Sequence, residues 1–254
     1  MDRRQLEYYI GQWLNSPRRK EILTGRRYYN GFHDILDRKR QAIGQEGKLV
    51  DVENLPNAHI VDNQYKKLVD QKTNYALGKP ITIAGDNEKY VKELEKLFDK
   101  NFHRKIRVLG KLAIEGGIAW MHPYYNSEGE LRFKIFPADE VLPFWKDSEH
   151  TELESAVRVY NQAIFENGTE TLKVVAEVYD LNGVTRYFLK GSSLVPIDQQ
   201  PNFTIDDKPY NWKRVPIIPF KYNSDELPLI RRVKSLQDSL NEVMSDFQNN
   251  MQED

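Results

Sequence analysis

The sequence contains no cysteine among its 254 residues. Disulfide bonds, thiolate metal sites and thiol nucleophiles are therefore excluded, and a reducing compartment suits the chain. No apolar run approaches the ~20 residues needed to cross a bilayer. The first residues, MDRRQLEYYI, lack the apolar core of a signal peptide. These absences predict a protein with no disulfide framework and no membrane partner.

Common catalytic and nucleotide-binding motifs are also missing. The five histidines show no HExxH spacing, and neither GxxxxGK[ST] nor GxSxG is present. The carboxylate pairs Asp139-Glu140 and Asp206-Asp207 leave open a metal-dependent nuclease or phosphoesterase, although turns and strand ends are the simpler interpretation. We therefore predict no enzyme, no catalytic residue, no metal site and no cofactor.

Charge is abundant but unevenly distributed. The net charge is -1, yet residues 1–40 hold ten Arg or Lys against five Asp or Glu. Within them, residues 26–40 read RRYYNGFHDILDRKR and mix cations with aromatic rings, as single-strand binders do. This pattern leaves open a stand-alone nucleic-acid-binding module. The candidate contacts with nucleic acid or a neighbouring copy are Arg26, Arg27, Arg38, Lys39 and Arg40.

The same segment also has the pattern of a packed helix surface. Tyr28, Phe32, Ile35 and Leu36 follow the i, i+4, i+7, i+8 spacing of one apolar face. The basic residues then fall near its ends, where they can pair with acidic neighbours. Packing with a salt-bridged rim is the preferred interpretation, and His33 is read as a packing or capping residue.

The hydrophobic pattern predicts an α+β fold with a helical N-terminal half, an antiparallel β meander and a long C-terminal helix. Residues 1–60 are a helical and loop segment, in which the first forty residues are helical and residues 44–57 form a loop. Residues 61–117 hold three helices, with a short strand at ITI (81–83) and a buried stripe from Tyr90 to Phe98. Residues 118–222 alternate with period two between turn signals. We therefore take residues 1–226 as one domain.

The apolar pattern of residues 227–254 predicts a helix of ~28 residues, which would be about 42 Å long at 1.5 Å per residue. It has no capping residue at its end, so we expect it to continue and a C-terminal portion to be missing. Its apolar side chains are a candidate subunit interface, and packing within the chain's own domain is the open alternative. The residues of this interface are Leu229, Val233, Leu236, Leu240, Val243 and Phe247.

Four blocks occur in an order that resembles portal proteins of tailed bacteriophages, the head–tail connectors, and among these the siphophage type of Gram-positive hosts. The blocks are YYNGFHDIL, NQYKKLVDQKTNYALGKP, FPADEVLPFW and VPIIPFKYNSDELPLIRRVKSLQDSLNEVMSDFQNN. The resemblance covers essentially the whole chain. It implies that residues 1–226 are a portal wing and that the last helix begins the stem, with clip, tunnel loop and crown absent.

The resemblance also implies a function. Such proteins form a homo-oligomeric ring, usually a dodecamer, at one vertex of the virion capsid. Double-stranded viral DNA passes nonspecifically through the channel during packaging and ejection. Implied partners are the terminase, scaffold or capsid proteins and head-completion proteins, and the implied locations are the virion and, during assembly, the host cytoplasm.

Overall fold

A computed structural model describes residues 2–44, 47–52, 54–166 and 168–253. It confirms the α+β fold class: helices come first, antiparallel sheets follow, and a long helix closes the chain. The predicted loop 44–57 is described in part, because residues 45, 46 and 53 lie outside these ranges. The helices are α1 (Arg3–Leu14), α2 (Pro17–Tyr29), α3 (Gln64–Leu77), α4 (Glu88–Leu97), α5 (Lys100–Gly116) and α6 (Ile230–Glu253).

Side-chain caps fix where most helices begin. Ser16 accepts a hydrogen bond from the Arg19 amide, and Pro17 occupies the first turn of α2. Asn63 caps α3 by accepting from the Lys66 amide at 2.9 Å. At the other end of α5, Gly117 is left-handed (φ +81°), and a Cβ there would lie 1.9 Å from the Glu226 carbonyl oxygen.

In the part of the chain that the structure describes, the strands form two main antiparallel sheets and two small hairpins. The five-stranded sheet contains β5 (Val141–Trp145), β6 (Leu153–Glu166), β7 (Thr169–Asp180), β8 (Gly183–Lys190) and β9 (Ser193–Gln200) in that order, which confirms the predicted meander. The second sheet contains β3 (Ile118–Tyr125), β4 (Leu131–Phe136) and β12 (Ile218–Lys221). Its order is β12-β3-β4, because the last strand returns to pair with the first long one, which the sequence did not predict.

Two local predictions need correction, and one hairpin was not predicted. Residues 81–83 form no strand, because no neighbouring strand pairs with them and Ile81 is half exposed. Part of the predicted loop is instead a hairpin of β1 (Gln41–Ile43) with β2 (Leu49–Asp51). The small hairpin of β10 (Phe203–Ile205) with β11 (Lys208–Tyr210) was also not predicted.

The predicted buried stripe on α4 is wrong. No residue of α4 is buried, and Tyr90 is largely exposed. Its C-terminal end is anchored by Phe98, whose ring centroid lies 4.6 Å from that of Phe102 on α5. The amphipathic pattern indicated which face of α4 turns toward the protein, but such a pattern does not indicate how deeply that face is buried.

The core lies where α2, α3 and α5 meet the sheets and the start of α6. Trp120 and Phe136 are fully buried in the second sheet and contact Ile22 of α2 in one hydrophobic cluster. A second cluster joins Tyr28, Tyr65 and Ile114 to Ile230. The first turn of α6 is therefore part of the domain core, which fixes the direction in which the helix leaves it.

Candidate subunit interface

The first residues of α6 are held by apolar packing. The helix begins at Ile230, three residues after the predicted start, because Leu229 still belongs to the preceding loop and donates its amide to the Ile114 carbonyl at 3.0 Å. Leu229 is buried and Val233 is half-buried in the cluster around Tyr28. These two residues of the candidate interface thus contact their own domain.

Charged groups reinforce this attachment. The Tyr28 hydroxyl donates to Asp238 at 2.6 Å, and burial together with this carboxylate raises the pKa of Tyr28 to about 12. Lys234 contacts both Asp34 and Asp238, at 2.6 and 2.7 Å. Arg231 forms two hydrogen bonds with Glu21 of α2. The helix is therefore tied to several elements of the domain near its start.

Farther along, the buried side chains of α6 are polar. They recur every fourth residue and are each less than 5% exposed; we call them the polar ladder: Gln237, Asn241, Ser245 and Asn249. Residues four apart lie on one side of a helix and shift by about 40° per step. The ladder therefore winds slowly around the helix. The spacing of Gln, Asn and Ser by four residues was the sequence signal for this ladder, which the apolar pattern alone did not reveal.

The partner of the polar ladder is the extended segment 57–63, which precedes α3. Asn249 accepts from the amide of Ala58 at 2.7 Å, and Ser245 accepts from that of Ile60 at 2.9 Å. Asn241 accepts from the amide of Asp62 at 3.1 Å. Segment 57–63 and α6 run antiparallel. Four helical residues rise about 6 Å and two extended residues about 6.6 Å, so the contacts stay in register.

The ladder continues at Gln237 into the start of α3. Its side-chain amide donates to the Asp62 carbonyl at 2.7 Å, and its oxygen accepts from the Tyr65 amide at 2.9 Å. These bonds satisfy backbone groups that have no sheet partner. Because buried amides without partners are costly, the ladder replaces the hydrogen bonds that a neighbouring strand would supply.

His33 lies behind the ladder and is fully buried. Its Nε2 lies 3.0 Å from the Tyr28 carbonyl, which can only accept, so Nε2 carries the proton. Nδ1 then accepts from the Asn241 amide group at 2.8 Å. Burial lowers the pKa of His33, consistent with this neutral form. The structure thus confirms that His33 is a packing residue.

A second line of side chains on α6 is apolar and open to solvent. Leu236, Val243 and Phe247 are 72%, 66% and 64% exposed. Leu240 is half-buried and Met251 is exposed on the same side. We call these five residues the apolar stripe. They lie within an arc of about 80°, which is the width of a helix–helix contact face.

The candidate basic residues all have partners within the chain. Arg26 pairs with Asp139 at 2.6 Å, Arg27 pairs with Asp34, and Arg38 pairs with Asp246 of α6 at 2.8 Å. Lys39 pairs with Asp51 at 2.9 Å, and Arg40 donates to the Pro56 carbonyl at 2.6 Å. These pairs form the salt-bridged rim of the packing interpretation. Its apolar face is only partly correct, because Tyr28 and Ile35 are buried whereas Phe32 and Leu36 are 62% and 40% exposed, and α2 already ends at Tyr29. Contact of the basic residues with nucleic acid or a neighbouring copy stays a prediction.

The four candidate carboxylates do not assemble into one site. Asp139 is paired with Arg26, and Glu140 contacts Arg158 at 2.9 Å. Asp206 and Asp207 form the left-handed turn (φ +48° and +59°) of the β10–β11 hairpin. Across the part of the chain that the structure describes, no group of three His, Asp or Glu could hold a metal ion. The described helices also include none that is long and apolar enough to cross a bilayer.

Comparison with known proteins assigns the family. The family model for "Phage portal protein, SPP1 Gp6-like" matches residues 15–254. The portal protein of Bacillus phage SPP1 is 30% identical over 244 residues, which cover 93% of this chain and 48% of that protein. The portal protein of Clostridium phage phiCD119 is 26% identical over 250 residues, covering 94% and 54%. The chain spans about half the length of these relatives. These matches confirm the resemblance seen in the sequence, and the chain belongs to the SPP1 Gp6-like family of phage portal proteins.

Proposed function

We propose that this chain is the wing and the beginning of the stem helix of a portal ring, and that copies join through the apolar stripe of α6. The observation that carries the proposal is the stripe itself. It places Leu236, Val243 and Phe247 in solvent on a helix whose other side is fixed to the domain. Rows of exposed large apolar side chains mark interaction surfaces.

A ring requires an interface between two different surfaces of neighbouring copies that closes on rotation. The polar ladder supports this, because it holds α6 in one direction and thus presents the stripe at a fixed angle. Twelve copies is the number that the family resemblance implies. In this proposal Leu229 and Val233 support the interface from within the domain, while Leu236, Leu240, Val243 and Phe247 contact the neighbour.

The ring would serve as the conduit for double-stranded viral DNA at the capsid vertex during packaging and ejection. Near-neutral charge suits a channel through which a polyanion slides, because each strong phosphate contact adds affinity and resists movement. The terminase, scaffold or capsid proteins and head-completion proteins would dock on the ring. Its proposed locations are the virion and, during assembly, the host cytoplasm.

The interface is tested by the double substitution Val243→Glu and Phe247→Glu. Both side chains are exposed, so the fold should be retained, with a change in unfolding free energy of about 0.5 kcal/mol or less. Two buried charges at the contact should prevent assembly. Light scattering and negative-stain imaging should show ring-sized particles for the parent chain and a single-chain mass for the variant.

A matched control adds the same charge to the same helix. The control substitutions are Ser235→Glu and Gln252→Glu. Both positions are exposed, and helical geometry places them about 80° or more outside the arc of the apolar stripe. This control should assemble like the parent chain. The proposal is wrong if the parent remains a single copy at high concentration, or if the control dissociates as completely as the stripe variant.

A further inference from the structure

Helices α3 and α5 concentrate positive charge that the overall composition conceals. The whole chain is nearly balanced, with 37 basic and 38 acidic residues. The two helices together carry eight basic residues and two acidic ones. The basic residues are Lys66, Lys67, Lys72, Lys100, Arg104, Lys105, Arg107 and Lys111, and the acidic ones are Asp70 and Glu115.

Four of these cations form one line along α5. Lys100, Arg104, Arg107 and Lys111 are spaced by four, three and four residues, which places them within an arc of about 60° over a rise of about 16 Å. The first three are exposed and Lys111 is partly exposed. We call this line the basic stripe.

Local acidic groups do little to neutralise the basic stripe. No acidic side chain among the described residues pairs with Lys100 or Arg104, and Arg107 donates to the neutral amide of Asn74 at 2.6 Å. Lys111 lies 3.4 Å from Glu115. Burial raises the pKa of Glu115 to about 7 against the effect of Lys111, so this carboxyl is only partly ionised at neutral pH. Four cations thus lie near two carboxyls, Asp70 and Glu115, so the basic stripe keeps a net positive charge.

The groove beside the stripe favours a phosphate backbone over an acidic protein. A cavity of about 370 Å³ lies between α3 and α5, and its polar lining consists of Asp70, Thr73, Asn74, Arg104, Arg107 and Lys111. The one acidic group in this lining, Asp70, accepts a hydrogen bond from the Tyr29 hydroxyl at 2.8 Å. Val108 is the sole apolar side chain among the described residues that line the cavity. Protein interfaces are generally centred on buried aromatic or aliphatic anchors, which this surface lacks. Arg side chains and helix-borne polar groups are common phosphate ligands.

We propose that the basic stripe binds the phosphate backbone of duplex DNA without regard to sequence. The choice of duplex DNA rests on the proposed function, whereas the charge and geometry of the site belong to this chain alone. The basic stripe would give the ring a weak contact surface for DNA on the side that carries α5. This differs from the basic residues at 26–40, which are occupied by internal partners.

The test is fluorescence anisotropy with a short labelled duplex across a range of salt concentrations. The triple substitution Lys100→Gln, Arg104→Gln and Arg107→Gln removes three candidate phosphate contacts. Because each contact contributes about 0.9 to the slope of log K against log salt, the slope should fall by about 2 to 3. Affinity at low salt should fall by about tenfold or more.

The control removes three positive charges elsewhere, with Lys190→Gln, Lys208→Gln and Lys213→Gln on the exposed sheet region. It should retain most of the slope. An unchanged slope in the triple variant, an equal loss in the control, or equal binding of polyglutamate through the same three residues would each overturn the proposal. Repeating the titration with the Val243→Glu, Phe247→Glu chain separates DNA binding from ring formation, because a single copy should still bind DNA through the basic stripe.

Discussion

The polar ladder and the apolar stripe run along different sides of α6. They reverse the usual rule that polar side chains lie at the surface and apolar side chains in the interior. The ladder is buried although it consists of Gln, Asn and Ser, and the stripe is exposed although it consists of Leu, Val, Phe and Met. The difference follows from what each side meets. The ladder faces the backbone of segment 57–63, which needs hydrogen-bond partners. Most of the stripe faces solvent: Leu236, Val243, Phe247 and Met251 are exposed, and Leu240 is half-buried.

In the proposed assembly, this arrangement would fix the orientation of the apolar stripe before a neighbouring copy binds. Polar contacts give a helix a specific register, since each ladder side chain accepts from one particular amide. Apolar contacts are less directional and tolerate small shifts. Using the directional contacts internally leaves the apolar contacts free for a neighbour.

The largest effect is expected from Asn241→Leu in the ladder. Asn241 is fully buried and connects the Asp62 amide, Gln237 and His33. Leucine has a similar volume but leaves these polar groups without their partner, which should lower the unfolding free energy by about 2–4 kcal/mol. Chemical denaturation measures the change.

Asn250→Leu is the matched control for that substitution. It makes the same chemical change on an exposed position of the same helix and should alter the unfolding free energy by about 0.5 kcal/mol or less. Equal effects at positions 241 and 250 would contradict the buried ladder, and so would a stabilised Asn241→Leu chain.

A smaller effect should follow from acidification. Burial lowers the pKa of His33 in the folded chain, so the unfolded chain binds a proton more readily. The contribution of His33 to the unfolding free energy should therefore be complete above pH ~6.5, which is the pKa of histidine in the unfolded chain, and should decrease as the pH falls below that value. A proton on Nδ1 would also face the Asn241 amide, which already donates there. The unfolding free energy should change by at most about 1.4 kcal/mol per pH unit for one histidine.

His122 supplies the internal comparison for the pH series. It is also buried, with a pKa lowered by burial, but it bonds the Pro216 carbonyl and is remote from the ladder in sequence. Each single substitution, His33→Phe or His122→Phe, should remove its own part of the pH dependence. A His33→Phe chain that keeps the full pH dependence of the parent would show that His33 is not the group involved.

Much of the fold could be predicted from local sequence because local chemistry determines it. The caps at Ser16 and Asn63 and the left-handed Gly117 mark helix boundaries through groups a few residues away. Period-two alternation gave most of the strands. The return of β12 to β3 was not predictable in this way, since it depends on residues almost a hundred positions apart.

The candidate interface could be predicted only in part. Spacing by three and four residues identified the apolar stripe, but the same pattern is usual for a buried face and cannot report exposure. The partners of the basic segment, such as Asp139 for Arg26 and Asp246 for Arg38, come from distant positions. The ladder was missed because Gln, Asn and Ser are ordinary surface residues, and their burial depends on an extended backbone beside them.

The absence of cysteine makes one measurement especially direct. Val243→Cys places a single thiol on the apolar stripe, and Ser235→Cys places one at an exposed position of the same helix about 80° outside the arc of the stripe. The rate of thiol modification is then measured for each at low and high protein concentration. The stripe interface predicts that the rate at position 243 falls strongly on assembly while the rate at position 235 is unchanged. Equal rates at both concentrations for position 243, or protection of position 235 instead, would contradict it.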